Sequence, residues 1–251
     1  MTTADYVSLL LFLGLWTFFS IATSGRRLIK RKSLSQAVAD HRRRWILHSL
    51  KRDLKMIDTQ IMAGLQNGTA FFASTSIFAM GGCFALLGAT DQADAIFRDL
   101  PYFFHGGRAV FELKAGGLAV IFGYAFFKFG WAYRLFNYCT ILFGGLPMSK
   151  EADADPEAAA LAADKVARIN ILAGQHFNAG LRAIFLSIGY LGWFIHPYVF
   201  IATTLFVMGI LTRRQYFSHA RAILIEDIPP SKGHARPLDK PRSGEEQNPL
   251  I

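Results

Sequence analysis

The chain has 251 residues, 52% of them hydrophobic and only 18% charged, with a mean hydropathy of +0.28. Soluble domains carry about 25% charged residues, and here the charge is missing from a few apolar runs, which selects a multi-span membrane protein over a soluble one. The net charge of +9 lies largely beside the first apolar run with no nucleic-acid motif, which excludes nucleic acid as a partner, and Cys83 and Cys139 make no CxxC pair that would support a disulfide framework or a zinc site.

The first apolar run, residues 6–23, contains no charge and reads as a span. It is followed by Arg26, Arg27, Lys30, Arg31, Lys32, Arg42, Arg43, Arg44, Lys51, Arg52 and Lys55, opposed only by Asp40 and Asp53. A span closed by dense positive charge keeps that end in the cytoplasm, so the N-terminus is expected outside. No Lys or Arg precedes the run, which argues for a retained anchor over a cleaved signal peptide. Leu47, Leu50, Leu54, Ile57 and Ile61 then recur at steps of three and four, predicting a basic amphipathic helix over about 35–63. Such a helix lies either in the headgroup layer or against another cytoplasmic helix.

The second span is expected over 69–89, with Gly64, Asn67 and Gly68 marking a bend before it. The polar, slightly acidic stretch from Asp91 to Arg108 fits the non-cytoplasmic side. A third span covers 113–134, with its helix continuing to Phe143 and stopping before Pro147. Within it Gly116, Gly123 and Gly130 fall seven apart and Ala115, Ala119 and Gly123 four apart, spacings that let helices approach closely in lipid. Residues 157–178 form a helix that runs into a fourth span over 180–195. Pro197 then breaks the pattern, and a fifth span covers 198–211. A single long helix kinked at Pro197 is the rival, but it would leave Arg213 and Arg214 outside, so charge favours five spans. Residues 1–228 thus read as one all-α, polytopic helical membrane domain. The Pro- and Gly-rich residues 229–251 read as a disordered cytoplasmic tail.

Three stretches carry a family likeness: DTQIMAGLQNGTAFFASTSIF (Asp58 to Phe78), YAFFKFGWAYRLFNYCTILFG (Tyr124 to Gly144) and HFNAGLRAIFLSIGYLGWFIHP (His176 to Pro197). They resemble the domain of unknown function 599 family of bacterial and plant integral membrane proteins, over nearly the whole chain except the tail. The resemblance implies a multi-span membrane protein in a bacterial inner or plasma membrane, with no assigned activity and no catalytic residues to carry over.

Charged residues at membrane depth are costly and mark function more often than those elsewhere. Lys128, Arg134 and Arg182, with Asn137 and Asn178, would form a pocket for an anion or lipid headgroup if the third and fourth spans pack together. The alternative is that Lys128 and Arg182 snorkel to the interface and Arg134 lies beyond it. Asp58, Gln60 and Asn67 form a second polar set, suited to bonding the backbone before the second span or to pairing with Arg134 or Arg182. No catalytic or metal set emerges, and no cofactor is expected. His176 and His196, at opposite ends of the fourth span, cannot bracket one haem, and His105 and His196, both expected near the outer surface, come nearest to a haem-ligating pair. These readings converge on a non-enzymatic membrane protein that binds anionic lipid headgroups or a protein partner, as an accessory subunit or a homo-oligomer. A small oligomeric transporter or channel for an anionic solute is the second reading. Ser74, Thr75 and Ser76 are its only hydroxyl cluster at depth.

Overall fold

The computed structural model describes residues 2–23, 31–90 and 107–226. Every regular element among them is an α-helix: α1 (Thr3–Thr23), α2 (Leu34–Ser49), α3 (Met56–Gly88), α4 (Arg108–Gly144), α5 (Ser149–Ala154), α6 (Pro156–Ile195), α7 (Pro197–Tyr216) and α8 (His219–Ile225). Arg26, Arg27, Lys30, His105, the 91–106 connection and the 229–251 tail lie outside the described residues.

Local chemistry sets most helix starts. Ser33 opens α2 with a capping box: Gln36 N donates to Ser33 Oγ at 3.3 Å, and Ser33 N donates to Gln36 Oε1 at 2.9 Å. Pro156 begins α6 behind Asp155, whose carboxylate accepts from Ala158 N at 3.0 Å. His196 caps α7 through Nδ1, which accepts from Tyr198 N at 3.3 Å.

Four helices, α1, α3, α4 and α6, are long and apolar enough to cross a membrane. At 1.5 Å per residue, the 40 residues of α6 extend about 60 Å, twice the roughly 30 Å hydrocarbon layer. The surplus length of α3, α4 and α6 therefore belongs to a second storey, built with α2 and α5. Two cores follow from this division. One, around Phe12, Phe129, Leu186, Trp193 and Phe200, joins α1, α4, α6 and α7. The other, around Ile46, Met62, Cys139, Phe143 and Val166, joins α2, α3, α4 and α6.

Pro197 does not kink one continuous helix. The chain reverses at His196, and α7 returns antiparallel along α6. Thr203 Oγ1 donates to Gly189 O at 2.7 Å, and the Trp193 and Phe200 rings stack at 5.3 Å. Gly189 and Gly192 make this approach possible: a Cβ on Gly192 would lie 2.3 Å from Thr203 Oγ1 and 3.1 Å from Val199 O. The hairpin has a 20-residue second arm, which is not among the four long apolar helices.

The single helix expected over 35–63 is two helices. The chain turns between Leu50 and Lys55, and α3 starts at Met56 and continues as one helix through Gly64, Asn67 and Gly68. The turn is held by tertiary contacts that periodicity does not record. Lys55 Nζ donates to Leu146 O at 3.2 Å and Pro147 O at 2.8 Å, while Asp53 pairs with Ser149. The expected stripe changes meaning accordingly. Leu47, Leu54, Ile57 and Ile61 are exposed, and α2 buries Ala37, Ile46 and Ser49, with Trp45 and Leu50 packed beside Ile46.

Candidate anion-binding site

Where α1 ends and α2 begins, four helices enclose a cleft of about 290 Å³. Phe19 and Thr23 come from α1, Ser35, Gln36 and Arg42 from α2, Gln175, Asn178 and Arg182 from α6, and Arg214 and Gln215 from α7. No Asp or Glu lines it, and among the described residues none of its three arginines has a carboxylate partner.

Two of the three arginines have partners in the fold, and the third has an unused donor. Arg42 donates to the Asn170 side chain and, at 3.3 Å, to Asn170 O, and its guanidinium lies against Gly174, where a Cβ would come within 3.3 Å of Cζ. Burial pushes the Arg42 guanidinium below the ordinary arginine range, because its lost hydration outweighs the opposing pull of the Cys139 sulfur. Arg182 is half-buried, and its Nε is enclosed with no hydrogen-bond partner among the described residues. Arg214 lies 5.5 Å over the Phe185 ring. A guanidinium stays protonated at any physiological pH, so the cleft holds concentrated positive charge with spare donors. That arrangement can bind a phosphate or carboxylate through charge-assisted hydrogen bonds.

The sequence candidates separate into three places. Arg182 and Asn178 line the cleft. Asn137 instead faces α3, where its Oδ1 accepts from Gln66 Nε2 at 2.8 Å. Arg134 is exposed and donates to Tyr138 on its own helix at 2.9 Å, while Lys128 lies 5.2 Å over the Tyr124 ring. Asp58 pairs with neither Arg134 nor Arg182. It is fully buried and accepts from Trp45 Nε1 at 2.6 Å and from Arg52. Gln60 and Asn67 are exposed. The expected meeting of Arg134 and Asn137 with Asn178 and Arg182 fails because α4 turns its other face to α6: Phe129, Phe136 and Cys139.

In sequence, Arg42 and Arg214 read as orientation signals and as members of one wide cationic surface with Lys128, Arg134, Arg182 and Arg213, not as parts of one pocket with Arg182. Only the return of α7 along α6 and the docking of α2 beneath them bring the three together. A second polar cluster at the opposite end of the bundle escaped sequence reasoning. Asp5 is fully buried and accepts from Trp193 Nε1 at 2.9 Å and Thr2 N at 2.8 Å. Lys114, 3% exposed, donates to Trp193 O at 2.7 Å. A lysine inside an apolar run was the available signal. Among the described residues no three His, Cys, Asp or Glu side chains converge as a metal site.

Apolar helices of spanning length, continued into a second storey of shorter helices and bordering a cationic cleft, define an all-α helical membrane protein. The model of one family, described as protein of unknown function, DUF599, matches residues 7–220, and the chain belongs to that family. No curated protein and no solved structure matches it.

Proposed function

We propose that this is a non-enzymatic, multi-pass membrane protein that holds an anionic lipid headgroup in the Arg42–Arg182–Arg214 cleft. The observation that carries the reading is the cleft itself: three arginines and several amides converge on it from three helices, without a carboxylate. Uncompensated cations at the edge of an apolar bundle attract the phosphates of the surrounding leaflet. The exposed Leu54, Met56, Ile57 and Ile61 at the start of α3 suit the same water–lipid boundary. A transport role lacks comparable support, since Thr75 and Ser76 spend their hydroxyls on Phe71 O and Phe72 O of their own helix.

Protein extracted in mild detergent is expected to carry anionic phospholipid enriched over the membrane average, read by mass spectrometry of the bound lipid. The double variant Arg182→Gln/Arg214→Gln should lose that enrichment, whereas Arg134→Ala should keep it. Equal enrichment in all three proteins would remove the cleft from the reading. Anion flux in liposomes that disappears with Arg182→Gln would replace lipid binding with transport.

The proposed topology has five spans, with the N-terminus outside, α7 as the fifth span and the arginine cleft on the cytoplasmic side, following the positive-inside bias. Reporters fused after Gln92 and after Arg214 are expected on opposite sides of the membrane, outside and inside respectively. Both reporters on one side would mean four crossings.

A further inference from the structure

The polar side chains of the arginine cleft stand in an order along α6. Gly174, Asn178 and Arg182 fall four apart on one face of that helix, and all three line the cleft. Arg42 lies against Gly174, at the end toward the second storey. Arg182 follows two helical steps of four later, on the side of the spanning core that contains Leu186 and Trp193. Arg214 reaches the same deeper level, over the Phe185 ring. Each step of four residues covers about 6 Å. The cleft is therefore layered: two guanidinium groups toward the bilayer core, an amide one turn nearer the storey, and a third guanidinium beyond it.

The middle layer is neutral and holds acceptors. Gln215 Nε2 donates to Ser35 Oγ at 2.9 Å, which leaves Gln215 Oε1 open to accept. Asn178 makes no hydrogen bond among the described residues, so its carbonyl is open too. A guanidinium only donates. A bare phosphate would therefore engage the arginines and leave both side-chain carbonyls without a partner, whereas an alcohol would donate to them. An ammonium would donate as well, but it would lie between guanidinium groups with no carboxylate in the lining to offset it. Size agrees with a phosphate that carries a small alcohol. The cleft of about 290 Å³ has room for about ten waters at roughly 30 Å³ each, and a phosphate bearing a glycerol has about ten non-hydrogen atoms.

Resting on the headgroup reading above, we infer that the cleft selects a phospholipid whose phosphate carries a hydroxylated, amine-free alcohol, the phosphatidylglycerol class. The phosphate of such a lipid lies beside its acyl region and the alcohol on the water side, the same order as the layers of the cleft. The phosphate takes Arg214 and Arg182, whose enclosed Nε has no hydrogen-bond partner among the described residues. The hydroxyls donate to Asn178 and Gln215. Arg42, fixed by Asn170, sets a positive charge on the far side of the alcohol, where the ammonium of phosphatidylethanolamine would lie. Selection thus combines an attractive element, the open carbonyls, with a repulsive one, the flanking cations.

The test offers the purified full-length protein three dioleoyl lipids in mild detergent and measures their affinities. They are phosphatidylglycerol, phosphatidylmethanol, which has the same charge without hydroxyls, and phosphatidylethanolamine; glycerol phosphate is the soluble competitor. Phosphatidylglycerol is expected to bind about tenfold tighter than phosphatidylmethanol, the scale of two neutral hydrogen bonds. Asn178→Leu should cut that margin to about threefold, the share of the one bond that remains. Asn178→Asp supplies the missing carboxylate and should raise phosphatidylethanolamine binding at the expense of phosphatidylglycerol. Asn178 has no partner to lose, so both variants should keep the parent's thermal transition, and the parent's own ranking of the lipids decides the matter even without them. Equal binding of phosphatidylglycerol and phosphatidylmethanol, both lost in Arg182→Gln/Arg214→Gln, would overturn the alcohol selection while leaving the headgroup reading intact. Glycerol phosphate that displaces the lipid as well as phosphatidylglycerol does would overturn it too, in favour of a free phosphate ester. Loss of the headgroup reading has its own signature: all three lipids would bind alike, and the double variant would change none of them.

Discussion

Asp58→Ala is expected to lower the thermal transition of the detergent-solubilised protein by on the order of 10 °C, the scale of a loss of about 3 kcal/mol in a chain of this size. Asp58 is 0% exposed and joins three segments at once: α3, on which it sits, Trp45 of α2, and Arg52 in the turn between them. Hydrogen bonds to a charged acceptor contribute about 1.5–3 kcal/mol each. Arg52 is 41% exposed and recovers much of its share by rehydration, so the larger part of the loss belongs to the buried Trp45 Nε1. Asp58→Asn keeps an oxygen for Trp45 and should lose less than half as much. Gln60→Ala, two residues away and exposed, should leave the transition where it is. Equal transitions for Asp58→Ala and the parent would mean that the α2–α3 turn is held by the Lys55 contacts alone.

Gly192→Leu is expected to open the α6–α7 hairpin and, with it, abolish lipid enrichment. The Cβ alone would sit 2.3 Å from Thr203 Oγ1, 3.1 Å from Val199 O and 3.2 Å from the Phe200 Cα, and two of these atoms are backbone that no rotamer change can move. Overpacking of this kind costs about 1–3 kcal/mol when the neighbours can shift and more when they cannot. Separation of the helices would also break the Thr203–Gly189 hydrogen bond and the Trp193–Phe200 stack. It would carry Arg214 away from Phe185 and Arg182, dismantling the cleft from a distance. Gly209→Ala, on a face of α7 with open space, is the matched control and should behave as the parent. Both readouts, the thermal transition and the bound lipid, should move together in Gly192→Leu; a transition that falls while enrichment persists would separate the hairpin from the cleft.

What could be read along the chain was the solvent, the helical class and most helix ends, because these depend on local quantities. Apolar run length reports the capacity to cross a membrane, and Pro156 and Pro197 report helix starts. The reversal at Pro197 was ambiguous in sequence because proline permits both a kink and a new helix; the glycines at 189 and 192 that decide it act only when a partner backbone arrives. The stripe from Leu47 to Ile61 misled for a related reason. A period of 3.6 persists across a turn by chance, whereas the Leu50–Lys55 break depends on Leu146, Pro147 and Ser149, nearly a hundred residues away.

The sequence by itself determined that this is an all-α membrane protein of its family, with its cations massed toward one end. It also contained Arg182 as a costly charge in an apolar run. Only the tertiary structure decided the company Arg182 keeps. Helix periodicity says which residues share a face, but not which helix that face meets. Arg42 and Arg214 come to Arg182 from α2 and α7, through the docking of one and the return of the other, while Arg134 and Asn137 turn elsewhere. Charge placement along a chain is a local property, and the cleft that concentrates it is a property of packing.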